Sequence, residues 1–306
     1  MDRRCETAYA DFASRCRKKR GMEVKMNCPN IATIRNAFTH SGFFHADDVF
    51  SSALLLILNP EIKIERGAKA PEHYEGIVFD IGSGRFDHHQ SDRRVRKNGI
   101  PYAAFGLLWE EYGALLLEEE DVRQFDKDFV QILDESDNTG KENLIAQCIY
   151  DWNPQWNEPE IDGTERFEEA VEWARRLLDA KFRAMRARRE AFAQVRTWMQ
   201  EQTAPILWLK KAMPWKEVVR GTEFLYVCFP SVRGGYAVQA VPRDDNATEL
   251  KKPFPVEWRG KTAEELRLLT GIGTFCFCHN SGFLCAAESR EDAAKVVEMA
   301  LEYEDK

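Results

Sequence analysis

Apolar positions along the first half of this chain follow two different periods. Ile31 to Thr39 is a short apolar run that predicts a strand ending at His40. Val49, Phe50, Ala53, Leu54, Ile57 and Leu58 recur at i, i+3 and i+4, which predicts a helix from about Ala46 through Leu58, stopped by Asn59-Pro60. Ile62 to Glu65 and Ile77-Val78-Phe79 predict further short strands, the second running into Asp80-Ile81-Gly82. Ala103 to Leu117 and Val122 to Asp134 predict helices. Strands that alternate with helices make βαβ units and a mostly parallel sheet, so the fold class is α/β.

The pattern breaks at Asp151 to Pro159, a segment rich in Trp, Asn and Pro. Thr164 to Gln202 is then long, charged and free of Pro and Gly, which predicts one long helix or two stacked ones acting as a connector. Beyond Pro205, strands at Phe224 to Phe229, Tyr236 to Val241, Phe275 to Cys278 and Phe283 to Ala286 mix with helices near Ala263 to Leu269 and Arg290 to Tyr303. That mixture predicts a smaller C-terminal α/β domain.

Composition narrows the functional classes. At 306 residues, with 44% hydrophobic and 31% charged residues, a soluble globular protein is expected. No apolar run approaches the roughly 20 residues of a membrane span. A net charge of −8 argues against broad electrostatic binding of duplex nucleic acid, though not against a local basic track or a metal-centred phosphate site. Eight cysteines are sparse for this length, and with no signal-peptide pattern they point to a reducing, cytoplasmic setting. Cys276-Phe-Cys278-His279 has the look of a zinc half-site, but no second pair follows, and an alternating apolar run reads better as a buried strand. Residues 1–30 carry a basic cluster from Arg15 to Arg20 with little apolar periodicity, and are expected to be a disordered leader.

Chemistry concentrates in two short segments. Four of the six histidines fall in His40-Ser-Gly-Phe-Phe-His45-Ala-Asp47-Asp48 and Phe86-Asp87-His88-His89-Gln90. Taken singly, each residue has an ordinary use: a hydrogen-bonded loop histidine, an aspartate cap at Asp80, a turn at Asp137-Asn138. Jointly they differ. His40 and Asp80 end predicted strands of one sheet, His45 and Asp47 open the next helix, and Asp87 to His89 return after a glycine loop. Asp137 ends a helix before Gly140. A parallel sheet gathers such groups at its carboxyl edge, where ligands bind in folds of this kind. Mixed imidazole and carboxylate donors suit Mn2+ or Fe2+ better than Mg2+, with Zn2+ still open. Two such ions about 3.5–4 Å apart clamp both oxygens of an in-line phosphoryl displacement.

These segments resemble the DHH phosphoesterase superfamily, named for its Asp-His-His run, and within it the melanocyte-proliferating-gene-type exonucleases. The likeness spans about Thr39 to Leu301. It rests on Thr39-His-Ser-Gly-Phe-Phe-His-Ala-Asp47, Phe86 to Gln90, Ser136-Asp-Asn138 and Trp152-Asn-Pro-Gln-Trp-Asn157. It continues in Val238-Gln-Ala-Val-Pro242, Trp258-Arg-Gly260, Gly271-Ile-Gly273 and Phe277-Cys-His-Asn-Ser-Gly-Phe283. The resemblance implies a DHH-type metal domain over 31–150, a helical connector over 151–204 and a substrate-binding domain over 205–306. It implies that His40, His45 and Asp80 hold one divalent ion and that Asp47, Asp80, His88 and Asp137 hold a second, with Mn2+ the first choice for both. It makes His89 the imidazole that meets the phosphate, and Asp87 the residue that orients an imidazole. His45 stands where many superfamily members carry Asp, with one residue more after the first His.

Substrate contacts are expected at Arg93 and Arg94, which follow the Asp-His-His run together with Arg96 and Lys97; a solvated loop is the plainer account of the same charges. Trp152 and Trp156 offer rings for unpaired bases, although packing at a domain junction is the commoner use. By resemblance, Arg259 and His279 of the C-terminal domain close over the site. The expected activity is a metal-dependent phosphodiesterase, a 3′–5′ exonuclease on single-stranded RNA or short oligonucleotides, with no membrane partner and with a homodimer left open. Hydrolysis of a small phosphoanhydride or cyclic dinucleotide is the competing enzyme reading. A non-catalytic metal- or nucleotide-binding protein is the competing reading of another class.

Overall fold

The computed structural model describes residues 30–158, 163–243 and 249–304, so the expected leader lies outside the described residues except for Asn30. No helix among the described residues is long and apolar enough to cross a membrane. Internal contacts divide the chain into two units, Met1–Met185 and Arg186–Lys306.

The first unit is built on a three-stranded parallel sheet. Strand β1 (Asn36–His40) is central, flanked by β2 (Lys63–Gly67) and β3 (Ile77–Val78). The register pairs Asn36 with Lys63 through His40 with Gly67, and Ala37 with Ile77. β1 starts later than its apolar run predicts. Asn30 caps a 3-10 turn over Ile31–Thr33, its side chain accepting from the Ala32 N–H, so Ile31 enters the core from a turn. Helix α1 (Ala46–Leu58) follows β1 with the predicted bounds and is buried over nearly its whole surface. A helix apolar on most sides belongs inside a core, and α1 packs against α2 (Ala104–Leu116).

The predicted helix from Val122 to Asp134 is in fact three pieces. Helix α3 (Glu119–Phe125) passes through a π-helical turn, Asp126–Val130, into α4 (Gln131–Thr139). The widened turn lies between Asp126 and Asp134, and both carboxylates reach the buried Arg96, at 2.9 and 2.7 Å. Gly140 ends α4 in the left-handed region (φ 70°), just after Asp137 and Asn138. Helix α5 (Leu144–Tyr150), capped by Asn143, completes this segment. Helix α6 (Gly163–Gln200) is continuous, not a stacked pair. Its Phe167, Ala170, Val171, Ala174, Leu178 and Phe182 recur at helical spacing and join the core of the first unit.

The second unit carries a five-stranded sheet in the order β4-β5-β6-β8-β7. Its strands are β4 (Ile206–Trp208), β5 (Tyr226–Pro230), β6 (Tyr236–Ala240), β7 (Phe275–Cys278) and β8 (Leu284–Ala287). β4 pairs parallel with β5, and the remaining pairs are antiparallel. Three residues are too few for β4 to show a period in the sequence. Helix α7 (Lys216–Val219) is a single turn, whereas α8 (Ala263–Thr270) and α9 (Arg290–Glu302) lie close to the helices expected there. Cys276 and Cys278 belong to β7. Cys278 is buried opposite Cys285, and the Cys276 thiol donates to the Ala286 carbonyl, which supports the strand reading.

One buried ion pair fixes the helix that carries Asp137. Arg96 lies 3.8 Å from the Tyr102 ring centroid and pairs with Asp134, whose Oδ1 accepts from the Gly106 N–H on α2. A Cβ at Gly106 would stand 1.9 Å from Asp134 Oδ2 and 2.7 Å from an Arg96 nitrogen. Gly106→Ala should therefore split the pair and cost about 3 kcal/mol or more, the penalty of breaking a buried ion pair. Chemical denaturation measures this, and a loss within 0.5 kcal/mol, about the range of a surface substitution, would contradict it.

Candidate metal centre

Donor groups collect at the carboxyl edge of the first sheet. β1 delivers His40 there. β3 runs through Phe79 into Asp80, whose φ of 55° is in the left-handed region that a non-glycine residue rarely enters. The conformation is pinned from both sides: the Phe79 N–H donates to the Phe38 carbonyl and the Asp80 N–H to the Phe86 carbonyl. Backbone held in a sparse region is a mark of functional positions, because surrounding structure must hold it there. Asp80 is thereby placed between two imidazoles. His40 Nε2 is 3.2 Å from Asp80 Oδ2, and His88 Nε2 is 3.2 Å from Asp80 Oδ1.

Among the described residues, three groups of donor atoms are compact enough to hold a metal ion: His40, Asp48 and Asp80; Asp80, His88 and His89; and Asp47, His88 and Asp137. They overlap at Asp80 and His88. Asp47, at the start of α1, also accepts the Ala104 and Phe105 N–H groups (2.8 and 2.7 Å) at the start of α2, so one carboxylate joins two helices. Its Oδ2 remains 3.7 Å from His88 Nε2. Asp137, from the last turn of α4, stands 3.3 Å from the same nitrogen.

Asp48 is the residue the sequence reading passed over. Its Oδ1 accepts from the His45 N–H (2.8 Å), while its buried Oδ2, without a hydrogen-bond partner, lies 3.5 Å from His40 Nε2. A signal was present, because an acidic residue three places after a helix cap commonly reaches back to the cap N–H. His45 behaves differently. It is exposed, its ring centroid is 6.2 Å from that of His40, and it belongs to none of the three compact groups.

Electrostatics shows what this arrangement demands. Burial, with the charges of Asp80, Asp137 and Asp134, pushes Asp47 well above the ordinary carboxylate range. Burial also pushes Asp48 up to about 7, even with His40 and Arg66 close by. Asp137 is raised by burial and by Asp80, against the pull of His88. Asp80 alone goes the other way: burial opposes ionisation, but hydrogen bonds from His40 and His88 hold it down to about 2. Burial disfavours the His40 cation too, yet the Asp80 bond and the Asp48 charge raise it to about 9, and Asp80 and Asp137 raise His88 in the same way. Several buried carboxylates thus compete for the protons of two imidazoles. A divalent cation answers that imbalance, and the donor set of imidazole nitrogens and carboxylate oxygens fits one.

In the rest of the Asp-His-His run Asp87 is buried and His89 turns outward. Asp87 Oδ1 accepts from His89 Nδ1 (2.7 Å) and from the His88 and His89 N–H groups, and Oδ2 accepts from the Ser83 N–H. Burial works against ionisation, but these bonds hold Asp87 below its usual range. The exposed His89 ring stands in a cavity of about 1040 Å3 with His88, Asp137 and Arg93. The four basic residues after the run separate. Arg93 reaches the cavity and bonds Asn138 Oδ1, Arg94 pairs with Glu110, Arg96 is buried against Asp134, and Lys97 is exposed. Asn138 Oδ1 also lies 3.4 Å from His88 Nδ1 and orients that ring. Trp152 packs on Trp173, whereas Trp156 is exposed. Arg259 and His279 belong to the second unit. There the Arg259 guanidinium donates to the Phe254 carbonyl, and His279 Nδ1 accepts from the Ser281 N–H.

Residues 36–301 match the family model of MYG1 exonucleases, described as an uncharacterised protein family (UPF0160). The MYG1 exonuclease of Homo sapiens is 28% identical, with 92% of this chain and 88% of that protein aligned. The MYG1 protein of Dictyostelium discoideum is also 28% identical, over 83% of this chain and 93% of its own length. That of Chlamydia pneumoniae is 29% identical, over 88% and 97%. No solved structure matches the chain.

The two imidazoles set a pH dependence in chelator. His40, raised from 6.5 to about 9, adds stability that is complete below pH 6.5 and is lost as pH rises to about 9. Asp48, raised from 3.8 to about 7, costs stability as it ionises between those values and changes little above them. Between about pH 7 and 9 the metal-free protein should therefore lose stability, with His88 acting in the same direction. His40→Gln should reduce that slope, and saturating Mn2+ should suppress it. Thermal denaturation across this range tests the sign; a wild-type stability that rises toward pH 9 contradicts it.

Proposed function

We propose, because this chain belongs to the MYG1 exonuclease family and gathers overlapping imidazole and carboxylate donors around one aspartate, that it is a metal-dependent exonuclease. The observation that carries the reading is Asp80, whose two oxygens face His40 on one side and His88 on the other. A carboxylate with a donor set on each side is what a two-ion phosphodiesterase requires, and the likeness to the DHH phosphoesterases leads to the same assignment.

In this reading His40, Asp48 and Asp80 hold one divalent ion, with His45 beside them, and Asp47, Asp80, His88 and Asp137 hold the other. Asp47 can serve although it caps α2, since a carboxylate offers about four lone-pair sites and two N–H groups use only two. Mn2+ is the ion of choice for such mixed donors. When bound, the ions supply Lewis acidity, making water a nucleophile at neutral pH and offsetting phosphate charge. The chain's own groups do the rest. Asp87 accepts from the His89 Nδ1–H, which fixes the ring; in the doubly protonated form Nε2–H gives its proton to the departing oxygen and leaves the neutral ring. Arg93, steadied by Asn138, is placed for a phosphate in the same cavity. Arg94, committed to Glu110, contributes less direct charge. The proposed substrate is the 3′ end of single-stranded RNA or a short oligonucleotide. The acidic chain disfavours long duplexes, and Arg93 needs to meet only the terminal phosphates.

Three outcomes are expected. Asp80→Asn should lower metal content at both positions by elemental analysis; unchanged occupancy contradicts a bridging role. His89→Ala should keep metal and lose about 100-fold or more in turnover, the size of a general-acid contribution, whereas His88→Ala should lose metal as well. Metal-stripped protein reloaded with Mn2+ should shorten 5′-labelled RNA one nucleotide at a time, with DNA slower. Immediate release of labelled mononucleotide would mean attack from the 5′ end. No cleavage of RNA, alongside rapid hydrolysis of pyrophosphate or a cyclic dinucleotide, would replace the nuclease reading with the small-molecule one.

A further inference from the structure

Beside the donor cluster runs a row of exposed rings that the proposed chemistry leaves unused. Tyr150, the last residue of α5, lies nearly parallel to His45, with centroids 6.3 Å apart and 14° between planes. Phe43 lies nearly parallel to Tyr150, at 6.1 Å and 20°. Phe43 is 59% exposed and Tyr150 49%. The row adjoins the donors, since the His45 ring is 6.2 Å from that of His40. His45 and Tyr150 line the same cavity as His88, His89 and Arg93. At about 1040 Å3 the cavity is at the upper end for small-ligand pockets, roughly 300–1,000 Å3, so it has room beyond the reacting phosphate.

A single exposed apolar residue on a surface needs no explanation. Aligned rings that stay about half exposed or more are another matter, because a flat π surface stacks planar groups whatever their edge chemistry, and nucleobases are such groups. Phosphate and base recognition then lie side by side: anionic oxygens toward the donors and Arg93, a base plane toward Tyr150 and Phe43. Bases within a duplex keep their faces against neighbouring pairs and cannot lie on such a surface. We propose that Phe43 and Tyr150 form a stacking platform for the unpaired terminal base of the chain end whose phosphodiester meets the metal cluster. This rests on the nuclease reading for the identity of the chain end, and it adds a cause for single-strand preference.

The test uses the 306-residue chain loaded with Mn2+ in a His89→Ala background, where turnover is slow. The probe is a single-stranded oligoribonucleotide with 2-aminopurine as its 3′-terminal base, whose fluorescence falls when it stacks. Binding should quench the probe. Tyr150→Ala and Phe43→Ala should each weaken quenching and binding by about tenfold, the order of one lost base–aromatic stack, and Tyr150→Phe should retain both. In the otherwise wild-type enzyme, Tyr150→Ala should raise KM for RNA more than it lowers kcat. An RNA whose terminal nucleotide is abasic should be bound alike with and without the Tyr150 ring. Melting temperatures close to wild type in Tyr150→Phe and Phe43→Ala separate a stacking loss from a folding loss. Unaltered quenching and KM in both alanine variants, with RNA still cleaved, would overturn the platform and leave the nuclease reading standing. Quenching that depends on Tyr150, in a protein that cleaves no RNA, would support the platform and remove the nuclease reading. Absence of quenching in the parent protein would overturn the platform directly.

Discussion

Mutual repulsion among crowded carboxylates, three of them buried and one half-buried, is the constraint on which the rest of the first unit depends. Asp47, Asp48, Asp80 and Asp137 are brought together around two imidazoles, and three of the four are pushed toward their neutral forms. A fold does not bury such a set for stability, since an uncompensated buried charge costs several kcal/mol. The scaffold therefore has to hold each group in place by other means. Asp80 is locked in a left-handed backbone by hydrogen bonds to Phe38 and Phe86 on either side of it. Asp47 is held by the N–H groups that open α2, and Asp48 by the N–H that opens α1. Asp137 is held at one remove: Arg96 and Asp134 anchor α4, Gly106 leaves room for them, and Gly140 ends the helix one turn beyond.

Much of this was legible in the sequence, for reasons that can be named. The helix Ala46–Leu58 announces itself because its apolar positions keep strict helical spacing and Asn59-Pro60 stops it. His40 and Asp80 could be placed together because strands in a βαβ array end on the same edge, and β1 and β3 are adjacent and parallel. The π-helical turn at Asp126–Val130 was not legible, because its cause is tertiary: two carboxylates eight residues apart both meet Arg96. For the same reason the run from Arg93 to Lys97 could not be sorted by inspection. In sequence it is four similar charges; in the fold Arg96 is core and Arg93 faces the cavity.

Asp48 and His45 show how local geometry separates residues that a motif writes side by side. Neighbours on a helix point about 100° apart, so Asp47 and Asp48 serve different donor groups from one turn. His45 precedes the helix with extended backbone, and its ring lies against Tyr150, outside the compact groups. The motif read as a string gives His45 to the metal and passes over Asp48. Their positions tie Asp48 to His40 and Asp80, and align His45 with the aromatic row that flanks the cavity.

If the carboxylate cluster exists to hold two cations, anomalous diffraction from crystals soaked in Mn2+ shows it most directly. Two peaks should flank the Asp80 carboxylate, one against His40 and Asp48, the other against Asp47, His88 and Asp137. A single peak away from Asp80, or none at saturating Mn2+, would contradict the two-ion centre.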